Sequence, residues 1–145
     1  MDLSNKKEYL TKKEFLEKYK DILDYYTIPI DENNKYISGC IGNIKDRKKT
    51  NFTGIYVIIE NNIVIYIGSA LPNSRTIEKR FSEHLGGHPS HTCIIPYLIK
   101  TRGLTKQEAK ELIKTFEFLA FKYSSLEYML INETPGIINS SGKYK

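Results

Sequence analysis

The sequence predicts a small α/β or α+β layer: three strands with helices around them. Two observations carry this. Short β-type runs at Gly54–Ile59, Ile63–Gly68 and Phe116–Tyr123 are set among segments of helical periodicity. Three Ser/Thr-x-x-Glu boxes mark helix starts at Thr11–Glu14, Thr105–Glu108 and Ser124–Glu127.

In chain order, the first element is one helix to about residue 26. Behind the Thr11 box, Phe15, Leu16, Tyr19, Ile22, Leu23 and Tyr26 recur at helical spacing. Residues 27–53 read as loop, with Pro29, Asn33-Asn34, Gly39, Gly42 and a basic run, Lys45, Arg47, Lys48 and Lys49 around Asp46. That run is either a solvated loop or a phosphate contact.

The two runs Gly54–Ile59 and Ile63–Gly68 form a hairpin. Strand side chains alternate between faces, so Ile55, Val57 and Ile59 share one face and Tyr56 and Ile58 the other. In the second run Ile63, Ile65 and Ile67 are set against Val64 and Tyr66. Matching the aliphatic sets pairs Ile59 with Ile63 and Tyr56 with Tyr66, across a three-residue loop, Glu60-Asn61-Asn62. Asn tolerates the positive φ such a loop needs. The competing two-residue Asn-Asn turn would put the tyrosines on opposite faces. Two phenols at matching height fill a core poorly but place two hydroxyls beside one substrate atom.

Pro72-Asn73-Ser74 reads as a turn, and Arg75–Leu85 as a helix with Ile77, Phe81 and Leu85 on its apolar stripe, ended by Gly86-Gly87. Ile94–Lys100 is a short helix, and the Thr105 box opens another to about Lys114. Phe116, Phe118 and Ala120 alternate with Glu117, Leu119 and Phe121 in the third strand. A last helix runs from the Ser124 box to about Glu133, where Pro135-Gly136 breaks it.

The 145 residues suit one domain. Hydrophobic and charged contents of 40% and 27% are ordinary for a globular protein. No apolar run approaches a membrane span, and no secretory signal opens the chain. Cys40 and Cys93 are therefore expected as free thiols in a reducing, cytoplasmic compartment. A net charge of +5 suits a polyanionic partner. P-loop, dinucleotide-binding and Gly-x-Ser-x-Gly motifs are missing.

Arg80 and His84 lie four residues apart and share a helix face that borders the core. A guanidinium fork neutralises phosphoryl oxygens and an imidazole donates or relays a proton, although a surface pair with Arg80 bridged to Glu83 is the competing reading. Glu127 closes a capping box, yet a carboxylate just before Leu130 and Ile131 also lies near an inward face, where it could hold Mg²⁺ with phosphate oxygens and waters. His84, His88, His91 and Cys93 invite a zinc reading, which Gly86, Gly87 and Pro89 interrupt. His88 and His91 fit extra phosphate contacts better.

Together Gly54-Ile55-Tyr56, Tyr66-Ile67-Gly68 with Ser69, Arg80-x-x-x-His84, Glu127 with Leu130-Ile131, and Pro135 with Asn139 resemble the GIY-YIG nuclease family. The resemblance runs from about residue 53 to 139. It implies a three-stranded antiparallel sheet flanked by helices, and metal-dependent hydrolysis of DNA phosphodiesters. It implies that Glu127 holds a single Mg²⁺ or Mn²⁺ and that Tyr56 is general base or positions the attacking water. Tyr66, Arg80 and His84 would orient and neutralise the scissile phosphate, with Asn139 supporting the site. Pro135 and Asn139 stand one residue further apart than the family's usual Pro-x-x-Asn. On this reading Lys45, Arg47, Lys48, Lys49, Ser69, His88 and His91 contact DNA. Residues 1–52 form an N-terminal extension on a nuclease core of 53–145. The short chain resembles compact, restriction-type members; a repair or mobile-element nuclease, and a non-catalytic nucleic-acid-binding module on the same fold, are the alternatives. Cutting both strands would require a homodimer or two successive events.

Overall fold

The structure is a computed structural model and describes residues 9–70, 75–86 and 94–123. Among these it is an α+β arrangement of five strands and six helices.

The expected first helix is two, α1 (Lys12–Lys18) and α2 (Lys20–Tyr26). The Thr11 capping box forms in both directions, worth about 1 kcal/mol. Tyr19, at φ −105° and ψ 16°, interrupts the helix between them. The segment read as loop also holds structure: β1 (Thr27–Ile28), β2 (Ile37–Cys40) and α3 (Ile44–Lys48). Then follow β3 (Gly54–Glu60), β4 (Ile63–Ala70), α4 (Ile77–Gly86), α5 (Ile94–Arg102), α6 (Lys106–Ile113) and β5 (Glu117–Tyr123).

The sheet is antiparallel throughout, and its three long strands run in the order β5-β3-β4. Both short strands lie along the outer edge of β5: β1 pairs with Lys122–Tyr123 and β2 with Glu117–Ala120. The expected three-stranded sheet is thus widened by two edge strands from the N-terminal third. Helices cover both faces, which is why β3 and β5 are almost wholly buried. On one face Tyr56, Ile58, Tyr66, Phe118 and Ala120 pack against Phe81, Leu98 and Ile113 of α4, α5 and α6. On the other, Ile55, Val57, Leu119 and Phe121 pack against Phe15 and Leu23 of α1 and α2.

The hairpin register differs from the parity argument. The turn has two residues, Asn61 and Asn62, both at positive φ (50° and 70°), as in a type I′ turn. Glu60 pairs with Ile63 and Ile59 with Val64, but Ile58 then pairs with Tyr66. Ile65 is the extra residue of a β-bulge, so it and Tyr66 both pack on the first cluster. The bulge absorbs the one-residue slip and returns Tyr66 to the face of Tyr56. The tyrosines are therefore diagonal neighbours, not a direct pair: Tyr56 stands opposite Gly68.

The third capping box, the helix after it, Pro135 and the 72–74 turn lie outside the described residues.

Candidate active site

Gly68 makes room for the centre of the site. A Cβ there would stand 2.6 Å from Cζ and Oη of Tyr56, so the phenol leans across β4 where a side chain would be. Gly54 has a different task, because a Cβ at that position would collide with the carbonyl oxygen of Phe121 on β5. The glycine that opens the first tripeptide permits strand pairing, and the one that closes the second permits the tyrosine's placement.

The Tyr56 and Tyr66 rings stack with centroids 6.0 Å apart and an interplanar angle of 28°. Phe81 meets Tyr56 edge-on at 5.2 Å, and His84 meets Tyr66 edge-on at 5.1 Å. Both α4 side chains belong to its buried stripe, which runs through Ile77, Phe81 and His84, with Leu85 only half-buried. The imidazole therefore sits in the stripe itself, one position earlier than the expected Leu85.

His84 is 1% exposed, and both ring nitrogens are engaged. Nε2 lies 3.1 Å from Tyr56 Oη. Nδ1 accepts the backbone N–H of Ile94, the first residue of α5, at 3.2 Å. Burial, aided by the Arg80 charge, lowers the His84 pKa to about 3, so the ring is neutral at physiological pH. With both nitrogens taken by protein, the ring's contacts are the Tyr56 phenol and the backbone at the start of α5.

Tyr56 is fully buried, and burial followed by the nearby Tyr66 holds its phenol pKa well above the ordinary value; Arg80 pulls the other way by charge and hydrogen bonding. Burial also opposes the Arg80 charge, but Tyr56, Tyr66 and Glu83 more than compensate and the guanidinium pKa is raised. Arg80 Nη1 donates to Glu83 Oε1 at 3.2 Å, and the same carboxylate takes Arg75. The Arg80–Glu83 pair therefore forms, but on a guanidinium that is largely buried and not on the open surface. Glu83 aims the guanidinium from one side and Tyr56 receives it on the other.

Ser69 does not join the cluster. It pairs with Ile55 and shares that strand face, on the side of the sheet opposite Tyr66. It is buried near Tyr123, whose phenol burial raises to about 12 while Ser69 opposes the shift. Parity gives this away in the sequence, since Ser69 is two residues from Ile67 and three from Tyr66.

The basic run divides. Lys45, Lys48 and Lys49 are exposed on or just beyond α3. Arg47 is spent internally, its Nη1 donating to the Ile41 carbonyl. Asp46 turns inward to accept the Cys40 N–H at 2.9 Å, so it does not cancel the lysines from within the run. The segment after α3 docks on α4: the carbonyls of Phe52 and Thr50 accept the N–H groups of Ile77 and Glu78 at 2.8 and 3.0 Å, and Thr76 Oγ1 takes that of Lys79. The helix start is capped by protein and is no anion site.

His88, His91, Glu127 and Asn139 lie outside the described residues. Among the described residues no group of three or more His, Cys, Asp or Glu is arranged to hold a metal ion. Among the described residues the charge bonded to Tyr56 is Arg80, and the carboxylate paired with it, Glu83, serves two arginines, so these groups by themselves do not suit a hard divalent cation. Two participants had no sequence signal of their own. The Ile94 amide reaches His84 through backbone, and Glu83 was visible only as a rival partner of Arg80.

Compared with models of known families, with curated proteins and with solved structures, the chain matches none.

Proposed function

We propose that the chain is a divalent-metal-dependent DNA endonuclease of the GIY-YIG kind, hydrolysing phosphodiester bonds. One observation carries the reading: Tyr56, Tyr66, Arg80 and His84, from two strands and a helix, meet around a single phenol oxygen. Those four are the residues that the two tripeptides and the Arg-x-x-x-His spacing single out.

In this reading Arg80 neutralises the phosphoryl oxygens, and Tyr66 sits beside Tyr56 to orient the same group. Tyr56 is a neutral phenol at rest, because burial holds its pKa high. Acting as base requires additional positive charge beside it, and a water or phosphate meets its oxygen only where substrate binding uncovers the phenol, which is 0% exposed. A Mg²⁺ or Mn²⁺ ion held by Glu127 would stabilise charge on the leaving oxygen. Lys45, Lys48 and Lys49 supply sequence-independent attraction to the DNA backbone.

The second reading, a nucleic-acid-binding module without catalysis, is favoured by the burial of Tyr56 and His84 at 0% and 1% exposure, which also suits a polar network that only holds the core together. Supercoiled plasmid separates the two. Wild type with Mg²⁺ should nick or linearise it, whereas wild type with EDTA and Glu127→Ala with Mg²⁺ should not. If wild type and Glu127→Ala retain DNA equally and neither cuts with Mg²⁺ or Mn²⁺, the binding module is correct.

A further inference from the structure

We infer that the backbone amide of Ile94 locks His84 in the tautomer that carries its proton on Nε2, so that His84 is a fixed donor to the Tyr56 oxygen and not a base toward its proton. The inference rests on the proposed nuclease reading for its functional consequence, but its structural content stands on two contacts alone.

A backbone N–H can only donate. The Ile94 nitrogen lies 3.2 Å from Nδ1, so Nδ1 must present a lone pair there. A neutral imidazole carries one N–H, which is then on Nε2, 3.1 Å from Tyr56 Oη. The opposite tautomer would set two N–H groups against each other at an imidazole that is 1% exposed, where water could not relieve them. The imidazolium would do the same and add a buried charge beside Arg80. The amide is itself in need of a partner, because the first N–H groups of a helix have none within it. α4 and α5 are thus joined by a contact that serves the helix start and the site together.

The consequence falls on Tyr56. Its oxygen receives the Nε2–H of His84 and the Arg80 guanidinium, which leaves its own proton directed at Tyr66, with which it also hydrogen-bonds. Two donors aimed at that oxygen favour whatever negative charge it acquires during reaction, as fixed donors do elsewhere. His84 is a positioning residue: it touches Tyr56 and acts only through that phenol.

Long-range ¹H–¹⁵N correlation spectra of ¹⁵N-histidine-labelled full-length protein read the tautomer directly. His84 should show a proton-bearing Nε2 and a pyridine-type Nδ1. A proton on Nδ1, or on both nitrogens near neutral pH, overturns the inference whatever the protein does to DNA. Substitution supplies the functional arm. Glutamine can donate as Nε2–H does but cannot serve as a base, so His84→Gln should keep plasmid nicking within about tenfold of wild type, while His84→Phe should lose about a hundredfold or more. If His84→Gln is as inactive as His84→Phe and both melt like wild type, the donor role is wrong. If wild type itself cuts nothing, the nuclease reading fails while the spectrum still decides the lock.

Discussion

At the scale of single residues, the site is a set of buried polar groups bonded for the most part to one another, and its pH response follows. The folded pKa of His84, about 3, lies below its unfolded value of about 6.5. The unfolded chain therefore binds a proton that the folded one does not over that interval, and His84 lowers stability as pH falls below about 6.5. The slope is about 1.4 kcal/mol per pH unit, so wild type should lose roughly 2 kcal/mol between pH 6.5 and 5. His84→Phe, followed by urea melts at each pH, should lack most of that loss; carboxylates add their own effect mainly below pH 5. A mutant with the same slope as wild type would contradict a buried neutral imidazole. Gly68→Ala tests the other half of the geometry. The new methyl meets a buried ring at 2.6 Å, so we expect about 1–3 kcal/mol of destabilisation in urea melts and a loss of nicking larger than that stability loss accounts for. The four-residue spacing of Arg80 and His84 made their shared helix face legible in the sequence. The engagement of both imidazole nitrogens was not, because one partner is a backbone amide ten residues away.

At the scale of elements, helix starts were the most legible features, since a capping box states its own hydrogen bonds: those at Thr11 and Thr105 form as read. The first-face and second-face sets of β5 were equally plain from alternation, and Phe118 and Ala120 do oppose Leu119 and Phe121. Edge strands were invisible. Thr27-Ile28 is too short to show a period, and Ile37-Ser38-Gly39-Cys40 contains a glycine that strands avoid. The hairpin was legible in existence and wrong in register, because alternation cannot announce a bulge: a two-residue turn with Ile65 bulged keeps the tyrosines together just as a three-residue loop would. The type I′ geometry predicts that Asn62→Gly stabilises. The substitution produces the preferred Asn-Gly pair at a residue with φ 70°, and thermal melts should show a gain of about 0.5–1 kcal/mol. A loss would argue against positive φ at that residue.

At the scale of the whole molecule, the net charge of +5 was readable from composition, but its placement was not. Three of the four basic residues of the 45–49 run are free to face a polyanion, while Arg47 is tied to Ile41. The segment between that run and β3 is bonded to the start of α4, the helix that carries Arg80 and His84. On the proposed function, replacing Lys45, Lys48 and Lys49 together by Gln should weaken DNA binding at every sequence alike. The slope of log affinity against log salt should fall by roughly 2–3, measured by fluorescence anisotropy. An unchanged slope would remove α3 from the interface. Fold-wide, the extension and the core are knit through β5, so the N-terminal third is part of the sheet that presents the tyrosines. The most direct measurement of the central claim is the rate of nicking of supercoiled plasmid by wild type, Tyr56→Phe and Arg80→Ala, each with and without Mg²⁺. We predict Mg²⁺-dependent nicking by wild type and losses of about a hundredfold or more in both variants, at melting temperatures that show them folded. Nicking that survives in folded Tyr56→Phe and Arg80→Ala, or wild type that leaves the plasmid intact with every divalent ion, would contradict it.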